Sequence, residues 1–106
     1  MTEQIGQLVA ELKAGLRLLY GENLKGVFVF GSYARGEQDD ESDLDVLVIL
    51  THYEHYGTEI DRTGRLSSEL SLKYGVSIST IFISQQDWLE GDTPLLRNAR
   101  VEAIAV

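Results

Sequence analysis

Two acids at alternate positions, Asp43 and Asp45, open one apolar run, and a Gly31-Ser32 pair closes the apolar run before it. These residue types suit phosphate chemistry. Transfer of a phosphoryl or nucleotidyl group spreads negative charge over phosphate oxygens, and cations and backbone donors must already be placed to receive it. Magnesium takes oxygen ligands, commonly one or two carboxylates completed by water and substrate phosphates. Residues two apart on a strand lean to the same face, so Asp43 and Asp45 can share one ion or grip a pair about 3.5–4 Å apart. Gly31 permits close backbone approach, and the N–H groups of the turn after it, with the Ser32 hydroxyl, can bind phosphate. Arg35 follows one short step on, where its planar fork can reach a phosphate. Taken singly, a Gly-Ser after a strand is usually a turn, and Asp-x-Asp is often capping or solvation. Between two apolar strands the combination is harder to dismiss, because unpaired charge at the start of a core strand is costly to bury.

Periodicity shows the elements that must position these residues. Ile5, Leu8, Val9, Leu12, Leu16 and Leu19 recur at helical spacing over Glu3 to Tyr20, with Thr2 as N-cap and Gly21 as stop. Gly26 to Phe30 is a nearly continuous apolar run, as is Leu44 to Leu50, and both read as buried strands. The loop between them is too short for a regular crossover helix, which predicts an antiparallel pair. A second long helix is expected over Tyr53 to Tyr74, stopped by Gly75, and a third strand over Val76 to Ile83. Ser84 caps a short helix, Asp92-Thr93-Pro94 opens a last one with proline in its first position, and Ala103 to Val106 can close as a short strand. The expectation is an α/β (α+β) sandwich in which a small mixed sheet is flanked by helices.

Length and composition narrow the classes further. The 106 residues suit one domain, 1–106, and 43% apolar residues suit a packed core. No cysteine is present, which excludes disulfides and thiolate metal sites. The net charge of −8 argues against direct nucleic-acid binding, which needs a basic patch. No apolar run is long enough to span a membrane, the start lacks signal-peptide features, and the expected location is cytoplasmic. Asp39, Asp40, Glu41, Asp43 and Asp45 crowd into seven residues, either as a solvated acidic turn or as a cluster that bound cations relieve. His52 and His55 around Glu54 offer too few ligands for zinc. Tyr53, Tyr56 and Tyr74 could stack a base, but their helical spacing fits a core edge or partner contact better.

Gly31-Ser32, ten further residues and Asp43-Leu44-Asp45 together resemble the signature of the polymerase-β-type nucleotidyltransferase superfamily. The wider context, Gly-Ser-Tyr-Ala-Arg-Gly from residue 31 and Ser-Asp-Leu-Asp-Val-Leu-Val from residue 42, is similar to its smallest branch, the minimal nucleotidyltransferases. The likeness covers nearly the whole chain and implies the nucleotidyltransferase fold. It implies Asp43 and Asp45 as catalytic, metal-binding carboxylates, Gly31 and Ser32 as triphosphate contacts, and Arg35, by its proximity, as a further nucleotide contact. Mg²⁺ and a nucleoside triphosphate, ATP, are the implied cofactor and substrate. Members of the branch pair with a HEPN-domain protein as antitoxin and toxin, and the better-understood ones transfer AMP to a tyrosine of that partner. A homo- or hetero-oligomer is therefore expected.

One position departs from the pattern. Many active members carry a third carboxylate on the next core strand, and alignment places Ser79 there. A hydroxyl is a poorer metal ligand and no base at neutral pH. Glu54, Glu59, Asp61 and Asp87 are the acids that could substitute, though each reads more simply as surface charge. Two readings follow: a Mg-dependent adenylyltransferase, or a non-catalytic antitoxin that neutralises its partner by binding. Transfer to a small molecule fits less well, because such enzymes usually carry a further domain for the acceptor.

Overall fold

In the computed structural model, which describes residues 1–106, Thr2 is extended and its hydroxyl accepts the Ile5 N–H at 3.2 Å. That cap starts α1, Glu3–Tyr20, which buries Ile5, Leu8, Val9, Leu12 and Leu16 and ends at Gly21. Strand β1 is Leu24–Phe30 and β2 is Leu44–Leu50, with the four-residue helix α2, Ser32–Arg35, between them. Then come α3, Tyr56–Tyr74, β3, Ile78–Ser84, α4, Gln85–Glu90, α5, Pro94–Glu102, and the two-residue β4, Ile104–Ala105. Ser84 and Thr93 cap α4 and α5 through their side chains, as their sequence contexts predict.

Three elements start two or more residues later or earlier than the sequence expectation, each for a local reason. Strand β1 starts at Leu24 rather than Gly26, because Leu24 is buried and pairs with Leu50 across an irregularity in the ladder. Helix α3 starts at Tyr56 rather than Tyr53. The Asn23 side chain donates to the His52 carbonyl at 3.1 Å and accepts the His52 N–H at 3.2 Å, which ties down a loop where helix was expected. Strand β3 starts at Ile78 rather than Val76, since the N–H groups of both Gly75 and Val76 close onto the Ser71 carbonyl and finish α3.

The sheet order is β3-β2-β1-β4. β1 runs antiparallel to both β2 and β4, whereas β2 and β3 are parallel and joined by the α3 crossover. This is the mixed sheet expected, with β2 at its centre. One face packs on α1 and α3 through Leu44, Val46, Val48 and Leu50, all 0% exposed. The other carries Leu47, Ile49 and Ile83 against Leu96 and Ala99, and Trp88 stacks on Phe28 at 4.8 Å between ring centroids. At the β3 edge, the Phe82 N–H donates to the Tyr56 hydroxyl at 3.1 Å, and the Tyr53 hydroxyl donates to the Phe82 carbonyl at 3.4 Å. Two tyrosines thus blunt the middle of an edge strand that would otherwise invite pairing.

Leu16 fills the main core and Leu18, two residues on, is 90% exposed. Leu16→Ala should cost about 2–5 kcal/mol in denaturant unfolding. Leu18→Ala should stay within about 0.5 kcal/mol of the parent.

Candidate nucleotide and metal site

Register builds this site. The antiparallel ladder sets Phe30 beside Asp45, and the parallel ladder sets Ser79 on its other flank. Phe30, Asp45 and Ser79 therefore form one row across three strands, and all three are half-buried. By strand alternation Asp45 shares its face with Leu47 and Ile49, the face under α4 and α5.

At the end of β1 the chain turns at Gly31, with φ 75° and ψ −151°, a conformation open only to glycine. A Cβ there would run into the Asp45 carboxylate oxygen. The backbone at Gly31 thus lies directly against the acid. Helix α2 follows at once, and the Gly31 carbonyl accepts N–H bonds from Ala34 at 3.0 Å and Arg35 at 3.1 Å. The N–H groups of Ser32 and Tyr33 precede that ladder and are the donors a first turn leaves over. Gly36, with φ 71° and ψ 25°, closes α2 in the left-handed conformation.

Asp43 is exposed and stands one residue before β2. Burial, then repulsion from Asp43, push the Asp45 carboxyl above its ordinary range, and the Arg35 charge pulls in the opposite direction. The two acids thus feel one another, and neither belongs to any of the chain's ion pairs. Arg35 itself is held by Glu37 at 3.1 Å and Glu102 at 3.3 Å, which raise its pKa. Glu102 lies 67 residues further along the chain, and nothing in the sequence pointed to it.

The acidic run divides into two jobs. Asp39 builds the turn: its carboxylate accepts the Glu41 N–H at 2.9 Å and lies 3.2 Å from the Ser42 hydroxyl. Asp43 and Asp45 stand apart from that turn as the uncompensated pair. No three His, Asp or Glu side chains converge anywhere in the chain as a metal cage. Two carboxylates in mutual repulsion, beside a backbone kept bare by Gly31, nonetheless fit the usual Mg²⁺ arrangement of few protein ligands completed by phosphate and water. Glu59, one possible substitute acid, is elsewhere: it accepts from the Tyr20 hydroxyl at 2.7 Å and pairs with Arg62 at 3.0 Å. Glu54, His52 and His55 line a separate cleft of about 260 Å³ with Glu59 and Arg62. The other clefts, about 410 and 310 Å³, are lined by neither Asp43 nor Asp45. The acid pair therefore sits on an open shelf rather than in an enclosed pocket.

A mixed sheet whose central strand is opened by two acids, faced by a Gly-Ser turn from the neighbouring strand, agrees with the nucleotidyltransferase fold that the sequence resemblance implies. A family model described as nucleotidyltransferase domain matches residues 9–104, and the chain belongs to that family. Its relatives include two candidate protein adenylyltransferases of Methanocaldococcus jannaschii. One is 36% identical over 74% of this chain and 78% of its own length, the other 35% identical over 74% and 72%. Among solved structures, a candidate minimal nucleotidyltransferase is 31% identical with a TM-score of 0.58, over 95% of this chain and 94% of that one. A toxin–antitoxin crystal structure with AMP-PNP shares the fold at 15% identity, with a TM-score of 0.66 over 98% of this chain and 72% of that one. No helix is long and apolar enough to cross a membrane.

Gly31 and Gly36 have similar positive φ, but an added Cβ meets an atom only at Gly31. Gly36→Ala should cost about 1–2 kcal/mol. Gly31→Ala should cost clearly more, and paired denaturation curves measure the difference. Because the Asp45 pKa is raised, its ionisation works against the fold. The associated stability is full below the ordinary aspartate range and is lost as pH rises through the raised value. Asp45→Asn should therefore raise the melting temperature of the metal-free chain at neutral pH, with the gain shrinking as pH falls into the aspartate range.

Proposed function

We propose that this chain transfers AMP from ATP to a tyrosine of a HEPN-domain partner, acting as the antitoxin of a toxin–antitoxin pair. The observation that carries this reading is the close approach of bare backbone at Gly31 to the Asp45 carboxylate. A triphosphate laid along Gly31 and Ser32 would meet backbone donors and a hydroxyl, with the two acids alongside. The candidate protein adenylyltransferases among its relatives support the reaction type. A solved complex of tri-AMPylated Shewanella oneidensis HEPN toxin with its MNT antitoxin has the same fold, at 14% identity and a TM-score of 0.54 over 92% of this chain and 70% of that one.

In this reading Asp43 and Asp45 hold Mg²⁺, which when bound neutralises charge building on the phosphate oxygens. Gly31 and Ser32 fix the phosphates, and Arg35 orients them after exchanging one carboxylate partner for a phosphate oxygen. The acceptor oxygen bonds to the α-phosphorus as the bond to the β-phosphate bridge breaks, and pyrophosphate leaves. Ser79 does not take the acceptor's proton at neutral pH. That proton passes to the partner or to water. The open shelf supplies one wall for the acceptor, and the partner supplies the other.

The second reading, neutralisation by binding alone, draws on the same Ser79, since the third carboxylate is missing beside Asp45. Intact-mass spectrometry of the HEPN partner, after incubation with this chain, ATP and Mg²⁺, separates them. The proposal expects a gain of adenylate mass that falls about 10²-fold or more in Asp43→Asn/Asp45→Asn. Neutralisation of the partner with no mass change would establish the binding reading instead.

A further inference from the structure

Arg35 meets two carboxylates at different corners of its guanidinium. Its Nε donates to Glu37 at 3.1 Å and its Nη1 to Glu102 at 3.3 Å, while Nη2 makes no hydrogen bond within the chain. The two acids are held differently. Glu37 follows the left-handed turn at Gly36, and its side chain is 66% exposed. Glu102 ends α5, whose Leu96 and Ala99 are buried against the sheet, and the chain passes almost directly from it into β4. Strand β4 pairs with β1 at Val29–Ile104 and Phe28–Ala105, and counting on in that register brings Glu102 level with Gly31. The strand that ends at the Gly31 turn therefore also sets the place of Glu102.

We infer that Glu102 is a positioning residue for a nucleoside triphosphate: it stays on Arg35 and aims the guanidinium at the phosphates, while Glu37 gives way to them. This rests on the reading of Gly31 to Asp45 as a nucleotide site. An arginine grips a phosphate best through two parallel N–H groups, and those of Nε and Nη2 form one such edge. Glu37 occupies that edge and Glu102 does not. Departure of Glu37 frees Nε beside the unpartnered Nη2, with Glu102 still in place at the opposite corner. The guanidinium is near enough to Asp45 to lower the cost of its charge, so the freed edge faces the acid shelf. Exposed ion pairs contribute little to stability, so folding alone gains little from a second acid on this side chain. A side chain held in advance, by contrast, need not be ordered when phosphate binds.

Titration calorimetry of ATP with Mg²⁺ into the full chain tests this, with Glu102→Gln set against Glu102→Ala. Both variants remove one charge, but only glutamine keeps an acceptor for Nη1. Glu102→Ala should bind ATP about two- to tenfold more weakly than Glu102→Gln. With Arg35→Ala added to each, the two should bind alike, because the group being aimed is gone. Glu37→Ala should bind at least as tightly as the parent. Circular dichroism checks that each variant folds. Should Glu102→Ala unfold, Glu102→Met replaces it, being equally neutral and without an acceptor oxygen. Equal affinity of the Gln and Ala variants, a difference that persists without Arg35, or weaker binding by Glu37→Ala overturns the inference and leaves the nucleotide site standing. A parent that binds no ATP overturns the site and the inference together.

Discussion

The antiparallel register that places Phe30 against Asp45 determines the rest of the site. Once those two residues are opposed, the next residue of β1 must turn beside the carboxylate, and only glycine has room to do so. Ser32 and Arg35 follow from that turn through the short helix α2. Ser79 is brought to the other flank of Asp45 by the parallel ladder. The register is strongly specified in turn. A one-residue slip would carry Leu44, Val46 and Val48 from the helix-covered core to the opposite face. The main hydrophobic core thus holds the candidate chemistry in place without touching it.

A second constraint is electrostatic. The fold brings Asp43 and Asp45 together and gives neither an ion-pair partner, although six ion pairs form elsewhere. Arg35 is close enough to moderate the Asp45 charge, yet its own bonds go to Glu37 and Glu102. Such an arrangement stores repulsion that a bound cation would relieve. It is a local cost carried by a well-packed central strand, the pattern expected where function rather than folding selects the residues.

Much of this was legible from the amino-acid order. Capping residues, helical stripes and two apolar runs located the helices and the central strands, and the short Gly31–Asp45 connection implied their antiparallel pairing. The spacing also singled out the acid pair, and the family resemblance aligned Ser79 with the position of a third carboxylate on the next strand. What stayed hidden depended on contacts between distant positions. Asn23 tying down His52 delays α3, the Tyr53 and Tyr56 hydroxyls go to an edge strand, and Glu102 reaches Arg35 from the far end of the chain. Local patterns carry periodicity and turn chemistry, but not which polar side chain meets a backbone group across the fold.

The central claim is that Gly31, Ser32 and the two acids form one nucleotide and metal site. Titration calorimetry of ATP into the purified chain, with Mg²⁺ and then with a chelator, tests it most directly. The account predicts binding that requires Mg²⁺ and disappears in Asp43→Asn/Asp45→Asn. ATP binding of equal affinity in the chelator, or in that double variant, would contradict it.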